Sequence, residues 1–188
     1  MEYNSEKEGT KMNILVVVDV QNDFVTGPLG SAGAVSIVTP VKEKILAAKA
    51  AGEKLIFLRD THEANYMETQ EGRRLPVPHT IKGTDGWQIV DELKPLTDGE
   101  LVIDKPIFGS VELGEVLRAL DKEETVEQVT LVGIYTDICV IANAMIAKVF
   151  LTEARIVVDA SCCAGITDAA HHTALTAMQS CQIDVVNE

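Results

Sequence analysis

Short apolar runs punctuate this chain, and helix-length amphipathic stretches separate them. Four runs are rich in β-branched residues: 14–18, 55–58, 129–132 and 156–158. Two weaker ones lie at 101–103 and 183–186. The runs are continuous rather than alternating, the pattern of strands buried on both faces. Between them, residues 36–51, 86–93, 111–120, 137–150 and 168–180 carry helical patterns. This alternation predicts an α/β protein: a single-domain, three-layer α-β-α sandwich around a mostly parallel, doubly wound, six-stranded sheet. No repeat, linker or low-complexity tract interrupts it. The predicted domain covers 12–188, and the polar residues 1–11 read as a flexible N-terminal tail. The longest irregular stretch, 60–84, marks a loop with a function of its own.

Composition narrows the picture. With 188 residues, 46% of them apolar, the chain can bury a sizeable core as one domain. No apolar stretch is long enough for a membrane span. The net charge of −13 disfavours nucleic acid and anionic membrane surfaces as partners. Residues 1–11 lack the apolar core of a signal peptide, so a cytoplasmic location is expected. The four cysteines, Cys139, Cys162, Cys163 and Cys181, have no paired C-x-x-C spacing. That argues for free thiols over a zinc knuckle or a disulfide framework.

In a doubly wound sheet, ligands collect beyond the carboxyl ends of the strands. Several chemistry-bearing residues fall there: Asp19, Asp60 with His62, Asp104 with Lys105, the turn 135–139, and Asp159. Cys139 follows the run 129–132 and opens a long apolar helical pattern, with Thr136 or Asp137 as N-cap. A thiol in the first turn of a helix meets free N–H groups and the positive end of the dipole, which favour a thiolate nucleophile. Alone, Cys139 reads more readily as a small buried packing residue. A carboxylate such as Asp19 can exchange a proton with a thiol, and an ammonium such as Lys105 stabilises both anions. Asp60, His62 and His79, with Glu71 in the same loop, offer a ligand set for zinc, iron or manganese. Without the others, each is an ordinary cap, surface lysine or polar loop residue. His171 and His172 read as an exposed helical pair without a role, and Trp87 as a residue packing against the sheet. The apolar helix 138–150 belongs in the core or at a subunit contact, which is compatible with a homo-oligomer.

Taken in order, Asp19-Val20-Gln21-Asn22-Asp23-Phe24, Asp60-Thr61-His62, Pro78-His79, Lys82-Gly83-Thr84, Lys105 and the segment from Gly133 to Val140 resemble the isochorismatase-like cysteine hydrolases. Within them the chain is similar to the nicotinamidase/pyrazinamidase branch. The resemblance runs from about residue 13 to residue 186. It implies a catalytic triad of Asp19, Lys105 and Cys139. It implies a cis peptide between Ile134 and Tyr135, and an oxyanion hole from the Tyr135 and Cys139 N–H groups. It implies a divalent metal, Zn2+ foremost and Fe2+ or Mn2+ otherwise, on Asp60, His62, His79 and Glu71. The expected activity is hydrolysis of nicotinamide or pyrazinamide through a cysteine thioester, with the pyridine nitrogen on the metal. Phe24, Phe108 and Tyr135 are the candidate substrate-binding rings. Two other readings stay open: a related amidohydrolase of carbamoyl, ureido or other small amides, and a non-catalytic redox or metal-binding thiol protein.

Overall fold

A computed structural model describes residues 11–188. The assignment of 1–11 as a tail therefore lies outside the described residues, apart from Lys11, which opens the first strand. Among the described residues, six strands form one sheet in the order β3-β2-β1-β4-β5-β6. They are β1 (Lys11–Val18), β2 (Lys54–Asp60), β3 (Leu101–Lys105), β4 (Thr125–Ile134), β5 (Arg155–Ala164) and β6 (Asp184–Val186). Every pairing is parallel. The order reverses at β1, the topological switch point where such sheets place their ligands.

The apolar run in β1 shows why no alternation was visible. Ile14, Val16 and Val18 enter one core cluster, while Leu15 and Val17 enter the other. Both faces of the strand are buried, so both parities must be apolar. Full burial of each such side chain contributes roughly 1.5–3 kcal/mol. One face is covered by α3 (Val38–Ala51), whose Val41, Ile45 and Ala48 are buried. The other is covered by α5 (Val111–Glu123), α6 (Ile141–Phe150) and α7 (Asp168–Ser180). Short helices α1 (Asn22–Val25), α2 (Ala32–Ser36) and α4 (Gln70–Arg74) lie in the connections.

Two expected elements differ. Residues 86–93 form turns rather than a helix, followed by a 3-10 turn at Lys94–Thr97. Trp87 does not sit in a helix: its indole lies under the Arg59 guanidinium at 3.6 Å and its Nε1 donates to Thr61 Oγ1 at 2.8 Å. The chain after β4 enters a π-helical turn, Thr136–Val140, before α6 begins at Ile141. Neither Thr136 nor Asp137 caps it. Tyr135 holds the N-cap position without a side-chain capping hydrogen bond.

Gly133 prepares this turn. Its φ is +122°, and a Cβ there would lie 2.1 Å from the Val18 carbonyl oxygen. Only glycine lets β4 approach the end of β1 so closely. The Ile134–Tyr135 peptide that follows is cis.

Candidate active site

Three strand ends, those of β1, β3 and β4, deliver three reactive side chains to one buried point. Asp19 follows β1, Lys105 ends β3, and Cys139 comes from the turn after β4. Lys105 Nζ lies 2.7 Å from Asp19 Oδ2, 3.6 Å from Cys139 Sγ and 3.1 Å from Asp60 Oδ1. It also donates to the Ile107 carbonyl at 3.2 Å. Asp19 and Lys105 are 0% and 1% exposed, so this ammonium sits among anions rather than in water. The Asp19–Lys105 contact is close but not aligned as a hydrogen bond, and Asp19 Oδ1 has no partner. An orphaned, buried carboxylate oxygen beside a thiol is poised to take a proton.

Electrostatics follow from this packing. Burial pushes the Asp19 carboxyl up to about 6, against the opposing pull of Lys105. Burial also drives the Cys139 thiol well above its ordinary range, reinforced by the Asp19 charge. Lys105 moves the other way to its burial: desolvation would lower it, but Asp19, Cys139 and Asp60 together raise it. The resting site is therefore a thiol, an ammonium and a carboxylate. Burial and the Asp19 charge thus oppose the thiolate that the helix end would favour, while Lys105 supports it.

The second cluster adjoins the first through Asp60. Its Oδ1 faces Lys105, while Oδ2 lies 3.1 Å from His62 Nε2 and 3.8 Å from His79 Nε2. Glu71 Oε1 is 3.8 Å from His62 Nε2 and 3.9 Å from His79 Nε2. Ligand atoms of Asp60, His62 and His79 lie within 4.8 Å of one another, all three residues being buried. His79 Nδ1 is tied to the Val77 carbonyl at 2.8 Å, which leaves Nε2 facing the cluster. His62 Nε2 is buried without a hydrogen-bond partner. Two inward-facing imidazole nitrogens between two carboxylates are the donor set of a divalent metal, so these residues fit one. Burial alone would lower His62, but the Asp60 carboxylate outweighs it and lifts it above its ordinary range. Burial pushes Glu71 up. Burial would raise Asp60 as well, yet His62 and Lys105 hold it well below the usual carboxylate range.

Side chains that sequence reading left without roles hold this cluster. Gln21 grips the Asp60 backbone at both ends: its Oε1 accepts from Asp60 N at 2.7 Å, and its Nε2 donates to Asp60 O at 2.9 Å. Thr80 donates its hydroxyl to Asp60 Oδ2 at 2.8 Å, and its own N–H donates to Asp23 Oδ2 at 2.8 Å. Asn143 in α6 is fully buried; it donates to the Cys139 and Phe108 carbonyls and accepts from Ser110 N. Gln21 and Asp23 lie inside the first matching sequence block, but nothing in their spacing reveals which backbone they hold. Asp104 and Asp159 stay outside the site. Asp104 pairs with Arg59 at 2.7 Å, and Asp159 with Lys44 at 2.8 Å.

Both clusters border one cavity of about 340 Å³, at the small end of ligand pockets. Cys139, Asp60, His79 and Glu71 reach its wall, and Phe24, Phe108 and Tyr135 line it. Asp19 and Lys105 lie behind the wall. Phe24 is 5.5 Å from the His79 ring, between centroids, whereas Phe108 is 42% exposed at the mouth. The Tyr135 hydroxyl donates to the Phe24 and Leu29 carbonyls, fixing that ring as a wall rather than a free donor.

The family comparison agrees with this geometry across nearly the whole chain. The Isochorismatase domain matches residues 13–187. The chain is a member of the isochorismatase family. A ureidoacrylate amidohydrolase, RutB, from Yersinia enterocolitica is 30% identical over 159 residues, spanning 70% of this chain and 66% of that protein. The chain spans less than two thirds of the length of the RutB relatives it matches, down to 59% for that of Pantoea ananatis. Among solved structures, nicotinamidase/pyrazinamidase PncA from Bacillus subtilis superposes with a TM-score of 0.83 at 25% identity, covering 94% of this chain and 100% of that one. A pyrazinamidase of Pyrococcus horikoshii in complex with zinc gives 0.78 at 26% identity, with 94% and 99% covered. This isochorismatase-family chain therefore shares its architecture with nicotinamidases, while its relatives by sequence also include hydrolases of a ureido acid. Among the described residues no helix is long and apolar enough to cross a membrane.

Proposed function

We propose that this isochorismatase-family chain is a metal-dependent cysteine amidohydrolase of the nicotinamidase type, converting nicotinamide or pyrazinamide to the acid and ammonia. One observation carries the reading. Cys139, backed by Asp19 and Lys105, opens into the same small cavity as Asp60, His79 and Glu71. A nucleophile and a ligand cluster facing one cavity suit a substrate with an amide at one end and a metal-binding nitrogen at the other. A bound divalent ion, zinc foremost, would sit on Asp60, His62, His79 and Glu71 and offer an open position to the ring nitrogen. The cavity wall also favours a neutral substrate over a ureidoacrylate. It is largely apolar, its charged groups are Asp60 and Glu71, and among the described residues no lysine or arginine lines it. A substrate carboxylate would find no counter-charge among the side chains of the wall, only in the bound ion itself.

The chemistry divides among the chain's own residues. Asp19 takes the Cys139 proton, and the sulfur forms a bond to the amide carbon. The Tyr135 and Cys139 N–H groups hold the oxygen that becomes negative; one such donor is typically worth about 100- to 1,000-fold in rate. Asp19 returns the proton to the departing nitrogen as the C–N bond breaks and ammonia leaves. Asp19 then deprotonates a water, which attacks the thioester; the C–S bond breaks and the thiol regains its proton. Lys105 stays charged throughout and keeps sulfur and carboxylate together. The expected setting is cytoplasmic, in salvage of the pyridine ring.

The test is ammonia release by zinc-loaded protein from nicotinamide, pyrazinamide and N-carbamoyl amino acids, assayed side by side. Turnover of the two heteroaromatic amides with little from the ureides supports the reading. Preference for the ureides would move the substrate to the related amidohydrolases. No hydrolysis of any amide would favour a thiol or metal-binding protein.

A further inference from the structure

Outside the two clusters, one partly buried polar contact reaches the nucleophile turn from an element with no part in the chemistry described so far. Thr136 is fully buried, and its Oγ1 lies 2.7 Å from His171 Nδ1 in α7. The neighbouring residue makes a second link to the same segment: Asp137 Oδ1 accepts from Ile166 N at 3.0 Å. Close packing joins them. A Cβ on Gly165 would fall 2.8 Å from the His171 backbone nitrogen and Cβ, so the chain before α7 lies directly against it. His171 is itself anchored, its N–H donating to the Thr167 carbonyl at 2.9 Å, while Thr167 caps α7 through Ala170 N. Consecutive residues of the Cys139 turn are thus bonded to one rigid segment, and Ile166 of that segment lines the cavity.

We propose that His171 is a positioning residue: through Thr136 it holds the Tyr135–Cys139 turn in the register that keeps the Cys139 thiol beside Lys105 Nζ. The inference rests on Cys139 being the nucleophile, as argued above. The turn is held by a small set of named contacts, of which this is the one made by the Thr136 side chain. It lacks a side-chain cap, and a π-helical turn spreads its hydrogen bonds over more residues than an α turn does. On the far side, Asn143 ties the Cys139 carbonyl to the Lys105 loop through Phe108 and Ser110. His171 supplies the matching hold from the α7 side. Its sequence context, beside His172 on an amphipathic helix, gives no hint of the contact.

The test needs a readout independent of the natural substrate. Iodoacetamide alkylates a thiol through its sulfur, so the rate of Cys139 labelling, followed by mass spectrometry on zinc-loaded protein, reports how the sulfur is held against Lys105 and Asp19. His171→Ala should slow labelling about fivefold, the scale of one lost hydrogen bond. His171→Asn, which can place an amide near the Nδ1 position, should restore most of it. Thr136→Val should reproduce the alanine effect, and the double variant should be no worse than either single one. With nicotinamide, the same variants should lower kcat and leave KM within about twofold, because the metal cluster is untouched. Circular dichroism and zinc content should stay at the wild-type level. An unchanged labelling rate in His171→Ala, additive effects in the double variant, or failure of Asn to rescue would each overturn the proposal. Normal labelling of the wild type without ammonia release from nicotinamide would instead sink the substrate assignment and leave this inference to the labelling rates.

Discussion

Asp19→Asn is the most informative substitution, because the same carboxylate sets both a rate and a stability. Its pKa rises from the ordinary 3.8 to about 6 through burial, in spite of Lys105. The difference of about 2 units corresponds to ~3 kcal/mol. Since a raised carboxyl pKa means the folded state binds the proton more tightly than the unfolded chain does, the Asp19 contribution is greatest below pH 4. It is lost as pH rises through 6, after which it is flat. Asp60 acts oppositely, and its lowered pKa confines its effect to pH below the ordinary carboxylate value. The two windows therefore separate. Urea denaturation should show wild type losing ~3 kcal/mol relative to Asp19→Asn between pH 4 and pH 7. Activity has the reverse slope, since the base works only when ionised. Wild-type kcat/KM for nicotinamide should fall tenfold per unit below about pH 6, and Asp19→Asn should lose about 100- to 10,000-fold near neutrality. A wild-type acid limb centred near pH 4, or an unchanged limb in the variant, would show that Asp19 is not the base.

Other expected outcomes test separate parts of the site. Cys139→Ala should abolish turnover and leave the thermal unfolding profile near wild type, checked by ammonia release and calorimetry. Chelation should remove activity that zinc restores. Because metal must displace protons from His62, retention should weaken as pH falls through the raised His62 pKa, as followed by metal analysis after dialysis. Gln21→Ala should lower zinc affinity roughly 10- to 100-fold by freeing the Asp60 backbone, measured by competition with a chromogenic chelator. Gly133→Ala should destabilise the fold by more than ~3 kcal/mol, since its Cβ would collide with the Val18 carbonyl, read from the denaturation midpoint.

The sheet was legible because burial on both faces leaves an unmistakable mark. Leu15 and Val17 serve one core, Ile14, Val16 and Val18 the other, and a run with no polar gap is the only way to write that. Residues 86–93 misled for a related reason. Ile89, Val90 and Leu93 are buried at helical spacing, yet they pack under the Asp19–Gln21 segment as turns, pinned by Val90 N to Val20 O at 3.1 Å. The strand-end rule selected Asp19, Lys105 and Cys139, which the fold brings together, and equally selected Asp104 and Asp159, which pair elsewhere with Arg59 and Lys44. Long-range partners are what a single sequence hides. Gln21 meets Asp60 across 39 residues, and His171 meets Thr136 across 35. The state of Cys139 was hidden too. A helix start favours a thiolate, whereas burial beside Asp19 pushes the Cys139 thiol up.

Rapid-quench mass spectrometry of zinc-loaded protein mixed with nicotinamide, with hydroxylamine present in a parallel run, addresses the chemistry most directly. The expected result is a transient nicotinoyl thioester on the peptide bearing Cys139, diverted to nicotinohydroxamic acid by hydroxylamine. Steady ammonia release with that peptide unmodified at every time point, and no hydroxamate, would contradict covalent catalysis by Cys139.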